Sequence, residues 1–163
     1  LKQNKCLSET IRINKMSLSI RPLIENDHAQ WLSLWQAYLD FFPTTLADEV
    51  IQETWRRLVG RPDMQALGAF DEAGNLVGFA HILIHPNTWN IGECCYLEDL
   101  FVDSAHRRQG IARQLIEAVY AAAEARNCNR VYWITAAENQ TAQALYDQLA
   151  AQTGMLQYRK DFA

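Results

Sequence analysis

The feature that most constrains the fold is a strand-like run that passes through a charged turn into a long helical run. The apolar and aromatic residues of 96–102, YLEDLFV, predict a strand. Gly110 opens a segment whose apolar residues recur at helical spacing, which predicts a helix. The turn between them carries Arg107 and Arg108, and Arg113 follows in the first helical turn. Such a junction leaves several backbone N–H groups unpaired and pointing in one direction, so it predicts a phosphate site.

Two common phosphate-binding motifs do not fit this turn. The dinucleotide-binding fingerprint G-x-G-x-x-G is absent, and no G-K-S or G-K-T of a P-loop follows. An exposed, arginine-rich helix start explains the turn equally well when it is taken alone. The choice between a binding site and a solvated helix end therefore depends on the rest of the chain.

The rest of the sequence reads as short strands and helices, with no repeat, low-complexity tract or linker. The order β-α-α-β-β-β-α-β-α-β predicts an α/β sandwich on one mixed sheet. Residues 1–15 show no clear periodicity, so we treat them as an N-terminal extension and expect a single domain over 16–163. The predicted strands are Leu18–Leu23, Ala66–Phe70, Leu76–Ile84, Tyr96–Val102, Arg130–Thr135 and Met155–Tyr158. Four helices are predicted: one that starts at Asn26 or Asp27, one over Ala47–Leu58, one that starts at Gly110 and one over Thr141–Ala151.

The composition argues against several classes of protein. The 163 residues carry a net charge of −4, which disfavours nucleic-acid binding, and no apolar run is long enough for a membrane span. The cysteines at positions 6, 94, 95 and 128 have no C-x-x-C spacing, and Cys94 and Cys95 lie in an apolar run where buried thiols are expected. We therefore expect reduced thiols and a cytoplasmic protein, with neither nucleic acid nor membrane as a partner.

Four segments, in order, resemble one protein family. Arg107–Ala112, RRQGIA, resembles the Arg/Gln-x-x-Gly-x-Gly/Ala signature of the GNAT N-acetyltransferases, and it follows a strand as that family requires. The segments 96–102, 131–135 (VYWIT) and 138–146 (ENQTAQALY) resemble the histone and polyamine acetyltransferase branch in particular. Arg108 departs from the glycine that many relatives carry. The resemblance implies an α/β GNAT fold, with a mixed, mostly antiparallel sheet, helices on both faces and splayed central strands.

The resemblance also implies acetyl-CoA as the acetyl donor. Its pyrophosphate would lie on the backbone N–H groups of Arg108–Arg113, and its pantetheine arm would pair with the strand backbone at Leu100–Val102, where two parallel strands splay. Asn139 would bond the arm from the next helix. The residues assigned to the cofactor are Leu100, Phe101, Val102, Arg107, Arg108, Gln109, Gly110, Ile111, Ala112, Arg113 and Asn139.

Acetyl transfer to an amine poses two proton problems. An alkyl amine with a pKa near 10.4 is neutral, and so able to attack, in roughly one molecule in a few thousand at pH 7. Glu98 is the candidate to attract the ammonium group or take its proton through water; the alternative is a solvated strand carboxylate with no such role. Tyr146 lies seven residues after Asn139, on nearly the same helix face. The family uses a tyrosine here as the acid that protonates the departing thiolate, the alternative being a tyrosine at the edge of the core. The N–H of Leu100 would meet the oxyanion.

The acceptor is expected to be a primary amine, either a small polyamine-like cation or a protein lysine. In the family the first helix and the next loop shape the acceptor pocket. Tyr38, Asp40 and Phe41 at the end of that helix could therefore line the pocket, and Asp40 and Phe41 are the candidates for binding the acceptor. Strict alternation along the strand would point Asp99 to the face opposite Glu98, where structural pairing is its expected role. His81 and His85 lie four residues apart on a predicted strand and do not converge, so we expect no metal site.

The sequence thus predicts an N-acetyltransferase that moves the acetyl group directly from acetyl-CoA to an amine, without an acyl-enzyme. The rival from another class is a catalytically silent acetyl-CoA-binding domain that senses the cofactor or supports a partner protein. Glu98, Asn139 and Tyr146 together argue against that rival, because a pure binder needs no acid and base. Relatives often pair through their terminal strands, so we expect a homodimer through Met155–Tyr158.

Overall fold

The computed structural model describes residues 18–162, and the predicted extension at 1–15 lies outside them. The strands are β1 (Ser19–Pro22), β2 (Met64–Phe70), β3 (Leu76–His85), β4 (Cys94–Val102) and β5 (Arg130–Tyr132). The helices are α1 (His28–Phe41), α2 (Asp48–Gly60), α3 (Ile111–Ala125) and α4 (Gln140–Tyr146), and single 3-10 turns precede α1 and α3. No helix in this part of the chain is long and apolar enough to cross a membrane.

The five strands form one sheet in the order β1-β2-β3-β4-β5. The first three neighbouring pairs are antiparallel, and only β4 and β5 run parallel. That parallel pairing covers Cys94–Tyr96 against Arg130–Tyr132 and then stops, although β4 continues to Val102. The two strands therefore separate beyond Tyr96, which confirms the predicted splay and leaves one edge of β4 without a strand partner.

Helices cover both faces of the sheet, as the resemblance predicted. On one face α3 buries Ile111, Leu115, Ile116 and Val119 against the sheet, because these residues recur on one helical stripe. On the other face α1 and α2 bury a second cluster that includes Trp31, Trp35, Leu39, Ile51 and Leu58, packed against Phe79 and Phe101 of the sheet. Each large apolar side chain removed from water in this way contributes about 1.5–3 kcal/mol.

An ion pair between a buried carboxylate and a partly exposed arginine fixes the start of α1 to the first strand. Asp27 is only 5% exposed, and its two oxygens lie 2.7 and 2.8 Å from the guanidinium of Arg21 on β1. One of those oxygens also accepts the backbone N–H of Ile24 at 2.9 Å. The carboxylate thus closes the turn between β1 and α1. Asp27 is the N-cap residue of α1, as one of the two predicted caps, but its side chain makes no capping bond to the helix.

The C-terminal part of the chain differs from the prediction. β5 ends at Tyr132 rather than Thr135, and α4 ends at Tyr146 rather than Ala151. The predicted strand Met155–Tyr158 is wrong: residues 151–162 have no regular structure, and Met155 is 85% exposed. A strand needs a neighbour to pair with, and β-branched or aromatic residues alone do not supply one. Gly154, with φ at +74°, also turns the backbone just before this segment.

Candidate active site

A β-bulge in β4 sets the geometry of the site. Asp99 lies opposite His81 and Leu97 lies opposite Ile82, so Glu98 is an extra residue without a partner on β3. A bulge interrupts the strict alternation of side chains along a strand. Asp99 pairs with Tyr38 and His81, which is the structural role expected for it, and the bulge means that strict alternation no longer fixes the direction of Glu98 beside it.

Three tyrosines from three elements lie around the bulge: Tyr38 from α1, Tyr96 from β4 and Tyr132 from β5. Burial raises the pKa of all three phenols, and the negative charge of Glu98 adds to the effect on each. The rings of Tyr96 and Tyr132 stack with their centroids 4.9 Å apart, at the last pair before the strands splay. We call Glu98, Asp99 and these three tyrosines the carboxylate–tyrosine cluster.

The two carboxylates of this cluster differ in their surroundings. Glu98 is exposed on one side. Partial desolvation of its carboxylate first, and the adjacent Asp99 charge second, raise its pKa above the ordinary value of 4.5. Asp99 is held by hydrogen bonds to Tyr38 at 2.6 Å and to His81 at 3.0 Å. A carboxylate whose pKa is raised can hold a proton at a pH closer to neutrality, as a general base must.

The cleft predicted to hold the cofactor lies between the splayed strands β4 and β5 and the turn before α3. In that turn Gly110 has φ at +80° and Arg108 has φ at +64°, both in the left-handed region. The first N–H of α3 to make a helical hydrogen bond is that of Gln114, which donates to the Gly110 oxygen at 3.1 Å. Within residues 18–162, the N–H groups from 108 to 113 therefore remain without an acceptor. No atom lies within 4 Å of the position of a Cβ on Gly110, so the turn is open to a ligand.

The three arginines of the turn are used differently. The Nε of Arg107 donates to the Val102 oxygen at 3.1 Å, and its guanidinium lies 5.5 Å from the centroid of the Phe41 ring and 5.7 Å from that of Phe101. Arg113 donates to the Gln148 side chain. Arg108 has no side-chain partner among the described residues, which leaves its charge available to a pyrophosphate.

The structure places Asn139 and Tyr146 at the two ends of α4. Asn139 caps the helix, accepting the N–H of Ala142 at 3.3 Å. Tyr146 is partly buried, and its ring meets that of Trp133 edge-on with centroids 5.3 Å apart. Its hydroxyl has no hydrogen-bond partner within the described part of the chain. Burial raises the pKa of Tyr146, which keeps the phenol protonated at neutral pH and able to donate a proton.

The structure separates the two residues that were predicted to bind the acceptor. Asp40 is exposed and accepts from Gln36 at 3.2 Å, in a groove between α1 and α2. Side chains two positions apart in a helix point in directions about 200° apart. Asp40 therefore lies on the side of α1 away from Tyr38 and its bond to Asp99. Phe41 lies instead beside Arg107 of the cofactor turn, with its ring 57% exposed.

A cavity of about 370 Å³ adjoins the cluster through Tyr96. It lies between the end of α2 and the adjacent ends of β3 and β4. Its lining includes Arg57, Arg61, Met64, Leu83, His85 and Tyr96. His85 also bonds the Tyr132 hydroxyl at 2.8 Å, so the cavity and the cluster share a wall.

Sequence reasoning missed Tyr96, Tyr132 and the role of His81. The segments of Tyr96 and Tyr132 were read as strands that carry the family resemblance, with no role for either tyrosine, and His81 was considered only as a metal ligand. The sequence shows a tyrosine in each of two predicted strands. The pairing of Tyr96 with Tyr132 follows only from the register of β4 against β5. Residues 18–162 contain no group of three side chains able to hold a metal ion.

Comparison with known proteins decides the family. A model of the GNAT acetyltransferase family matches residues 31–150. The chain belongs to the GNAT acetyltransferase family. Over 145 residues this GNAT chain is 35% identical to the D-amino-acid N-acetyltransferase HPA3 of Saccharomyces cerevisiae, covering 87% of the chain and 89% of the yeast protein.

Solved GNAT structures have the same fold. The ribosomal-protein-alanine N-acetyltransferase of Brucella melitensis biovar Abortus 2308 superposes with a TM-score of 0.76 at 25% identity, over 90% of this chain and 99% of that one. The enzyme AAC(6')-Iy in complex with a CoA-containing bisubstrate analogue superposes with a TM-score of 0.78 at 21% identity, over 90% and 99% of the two chains. The predicted GNAT fold is therefore confirmed.

These findings establish the type of reaction. The GNAT chain is an acyl-CoA-dependent N-acetyltransferase, and acetyl-CoA is its co-substrate. Its open cofactor turn and the unpaired edge of β4 fit that molecule, because a phosphate can bind free N–H groups at a helix start and an amide arm can pair with a free strand edge. None of these three relatives is named as a histone or polyamine acetyltransferase, so the predicted branch is not supported.

Proposed function

We propose that this enzyme transfers acetyl directly from acetyl-CoA to a primary amine that arrives as an ammonium ion at the carboxylate–tyrosine cluster. The observation that carries the proposal is the bulged Glu98, whose pKa is raised, next to a second carboxylate at the fork of the splayed strands. Negative charge and aromatic faces both attract an ammonium group. A domain that only binds the cofactor has no need for such a site.

In the proposed reaction one bond is exchanged and the nitrogen loses two protons. Glu98, directly or through water, takes the first proton from the ammonium nitrogen, and the neutral amine attacks the thioester carbon. A C–N bond forms and the C–S bond of acetyl-CoA breaks, while the N–H of Leu100 stabilises the oxyanion. Tyr146 gives its proton to the departing thiolate, and the second proton of the nitrogen, released as the amide forms, restores the phenol.

The proposed cofactor contacts follow the open groups of the cleft. The pyrophosphate lies on the N–H groups of 108–113, with the Arg108 charge beside it, and the pantetheine arm pairs with the free edge of β4 at Leu100–Val102. Asn139 bonds the arm from α4. Arg107 supports the turn through Val102 rather than meeting the phosphates directly.

The proposed acceptor is a small amine or a lysine side chain. The sequence favoured a polyamine-like amine or a protein lysine, and the 35%-identical yeast relative is named for D-amino acids. All three classes present an ammonium group to Glu98. In the cavity beside Tyr96, Arg57 pairs with Glu53 and Arg61 with Asp63, so the lining does not by itself select an acceptor. Free D-amino acids come first in the test because of the yeast relative.

The test is CoA-thiol release from acetyl-CoA with matched acceptors: a D-amino acid and its L-enantiomer, spermidine, and a lysine peptide. We expect turnover with one of these classes and a loss of most of it in Tyr146→Phe and Glu98→Gln. Turnover that neither substitution changes would discard the residue roles. Cofactor binding by calorimetry without turnover on any amine would favour the silent binding domain.

We also propose that the catalytic domain spans 16–163, that it acts in the cytoplasm and that it forms a homodimer. Cys94 and Cys95 are buried free thiols, as expected in a reducing compartment. The exposed apolar residues of the C-terminal segment, among them Met155, Leu156 and Tyr158, suit contact with a second copy. Light scattering of the full chain and of a chain ending at Ala151 tests the dimer. A monomeric full chain would contradict it.

A further inference from the structure

A chain of hydrogen bonds lies behind Glu98 and joins α1, β3 and β4. Trp31 Nε1 donates to His81 Nε2 at 3.0 Å, His81 Nδ1 lies 3.0 Å from Asp99 Oδ2, and the Tyr38 hydroxyl lies 2.6 Å from Asp99 Oδ1. An indole N–H can only donate, so His81 Nε2 accepts and carries no proton. The ring proton is then on Nδ1, where it is donated to Asp99. The histidine is therefore neutral, and Asp99 accepts one hydrogen bond on each of its oxygens.

This chain of hydrogen bonds holds His81 in place inside the protein. Both of its ring nitrogens are engaged, and the residue is 1% exposed, behind a Trp31 that is fully buried. Loss of either bond would leave a buried polar group without a partner. Asp99 is therefore held by two donors, one from β3 and one from α1.

The same contacts fix the register of the bulge. His81 and Asp99 are directly opposed on β3 and β4, immediately before the position where Glu98 becomes the extra residue. A slip of one residue would turn every following side chain of β4 to the other face. The bond between these two side chains opposes such a slip, and the bond from Tyr38 ties the same point to α1.

We propose that Asp99 is a positioning residue for Glu98: held by His81 and Tyr38, it fixes the bulge that presents Glu98 and keeps one permanent negative charge beside it. This inference rests on the proposed function of Glu98 as the group that receives the ammonium proton. Asp99 itself does not take part in the bond exchange. Its charge makes Glu98 a better proton acceptor and draws the cation towards the bulge.

The charged and titratable groups that interact with Glu98 come from every element packed around it. Asp99 lies on its own strand and is the one charge that shifts the pKa of Glu98. The phenols of Tyr38, Tyr96 and Tyr132 lie on α1, β4 and β5, and burial keeps them neutral. Removing the Asp99 charge should therefore lower the pKa of Glu98, because none of these phenols carries a charge that would offset the loss.

The test is the pH dependence of kcat/KM in Asp99→Asn. The substitution keeps the size of the side chain and removes its charge. We expect kcat/KM at pH 7 to fall by roughly tenfold, and its acid limb to move to lower pH by roughly half to one pH unit, the size expected for one charge in a partly solvated site. An unchanged acid limb would overturn the proposal. Glu124→Gln, which removes an exposed carboxylate from α3, is the matched control and should leave the profile unchanged.

A double variant separates action through Glu98 from an independent effect. If Asp99 acts through Glu98, Asp99→Asn should change the rate by less than twofold in the Glu98→Gln background. An equal loss in both backgrounds would overturn the inference. Failure of the proposed function would give a different result from failure of this inference. The parent would then acetylate no amine, or Glu98→Gln alone would be as fast as the parent. Either result would overturn both the proposed function and the role of Asp99.

A second variant keeps the inference testable if Asp99→Asn does not fold. Tyr38→Phe keeps the ring in its aromatic contacts and removes one of the two donors to Asp99. We expect a smaller loss of kcat/KM, with CoA affinity by calorimetry and the unfolding temperature close to those of the parent. Activity of Tyr38→Phe equal to that of the parent would count against a positioning role for this network.

Discussion

The Tyr38 hydroxyl donates to Asp99 at 2.6 Å, and this bond joins the first helix to the bulge of the fourth strand. The two residues are 61 positions apart in the chain. The contact ties α1 to the strand whose other edge has no strand partner beyond Tyr96. Strand β4 therefore borders both the carboxylate–tyrosine cluster and the proposed cofactor cleft.

Tyr146→Phe should lower kcat by about 10²-fold, the usual scale for removing a general acid. The phenol is protonated at neutral pH because burial raises its pKa, and its hydroxyl bonds to no other group among residues 18–162. CoA affinity by calorimetry should not change. Tyr158→Phe, in the exposed C-terminal segment, is the control and should behave as the parent. A Tyr146→Phe variant with full kcat would show that another group, or water, protonates the thiolate.

The kcat/KM of the parent should rise with pH through the pKa of Glu98, which lies above its ordinary value of 4.5 because of burial and the neighbouring Asp99. Glu98 can take a proton only when it is ionised, so the acid limb of the profile reports its titration. Glu98→Gln should remove that limb and lower the plateau. A limb of the same shape in the variant would assign it to another group.

Glu98→Gln should also stabilise the fold at pH 7. A carboxyl whose pKa is raised by folding favours the folded state below the pKa of the unfolded chain, and this contribution is lost as pH rises through the folded pKa. At pH 7 the ionised Glu98 therefore costs stability, which the amide relieves. Thermal unfolding should show a higher midpoint for the variant at pH 7 and little difference near pH 4. A lower midpoint at pH 7 would mean that the charge is stabilised by contacts that the amide cannot replace.

Gly110→Val should weaken CoA binding by tenfold or more. Gly110 has φ at +80°, where a β-branched residue is strained, and the new side chain would stand where the backbone must approach the phosphates. Gly74→Val is the matched control, because Gly74 has φ at +82° and open space around it in the β2–β3 turn. Each substitution should cost about 1–2 kcal/mol of unfolding free energy. Equal CoA affinity in the two variants would argue against a pyrophosphate on this turn.

Asp27→Asn should destabilise the fold by about 2–3 kcal/mol, because it removes charged hydrogen bonds at a nearly buried site. The bond from Arg21 lowers the pKa of Asp27, so its contribution is present above the ordinary value of 3.8 and is lost as pH falls through the folded pKa. Urea unfolding at pH 7 and at pH 3 should show a difference from the parent that shrinks in acid. Glu124→Gln is again the control. A difference that persists undiminished at low pH would point to packing rather than charge.

The local chemistry of the cofactor turn could be predicted from the sequence. Gly110, the neighbouring arginines and the strand before them are close in the chain, and their effect depends on backbone geometry that a strand–turn–helix junction imposes by itself. The periodic helices and most strand positions follow for the same reason, since apolar spacing along one segment determines which face is buried. The family signature extended this to the cofactor and the type of reaction.

The acceptor side was decided only by the tertiary structure. The sequence placed Glu98 on a strand, but the register of β3 against β4 makes it a bulge residue. Strict alternation along the strand had predicted that Asp99 points to the opposite face. Asp40 and Tyr38 were equally available on α1, and the packing of that helix brought Tyr38, not Asp40, to the sheet. The predicted strand Met155–Tyr158 had suitable residues but found no neighbouring strand to pair with. Local patterns determine what each segment can form, whereas register, bulges and edge pairing depend on contacts between residues far apart in the chain.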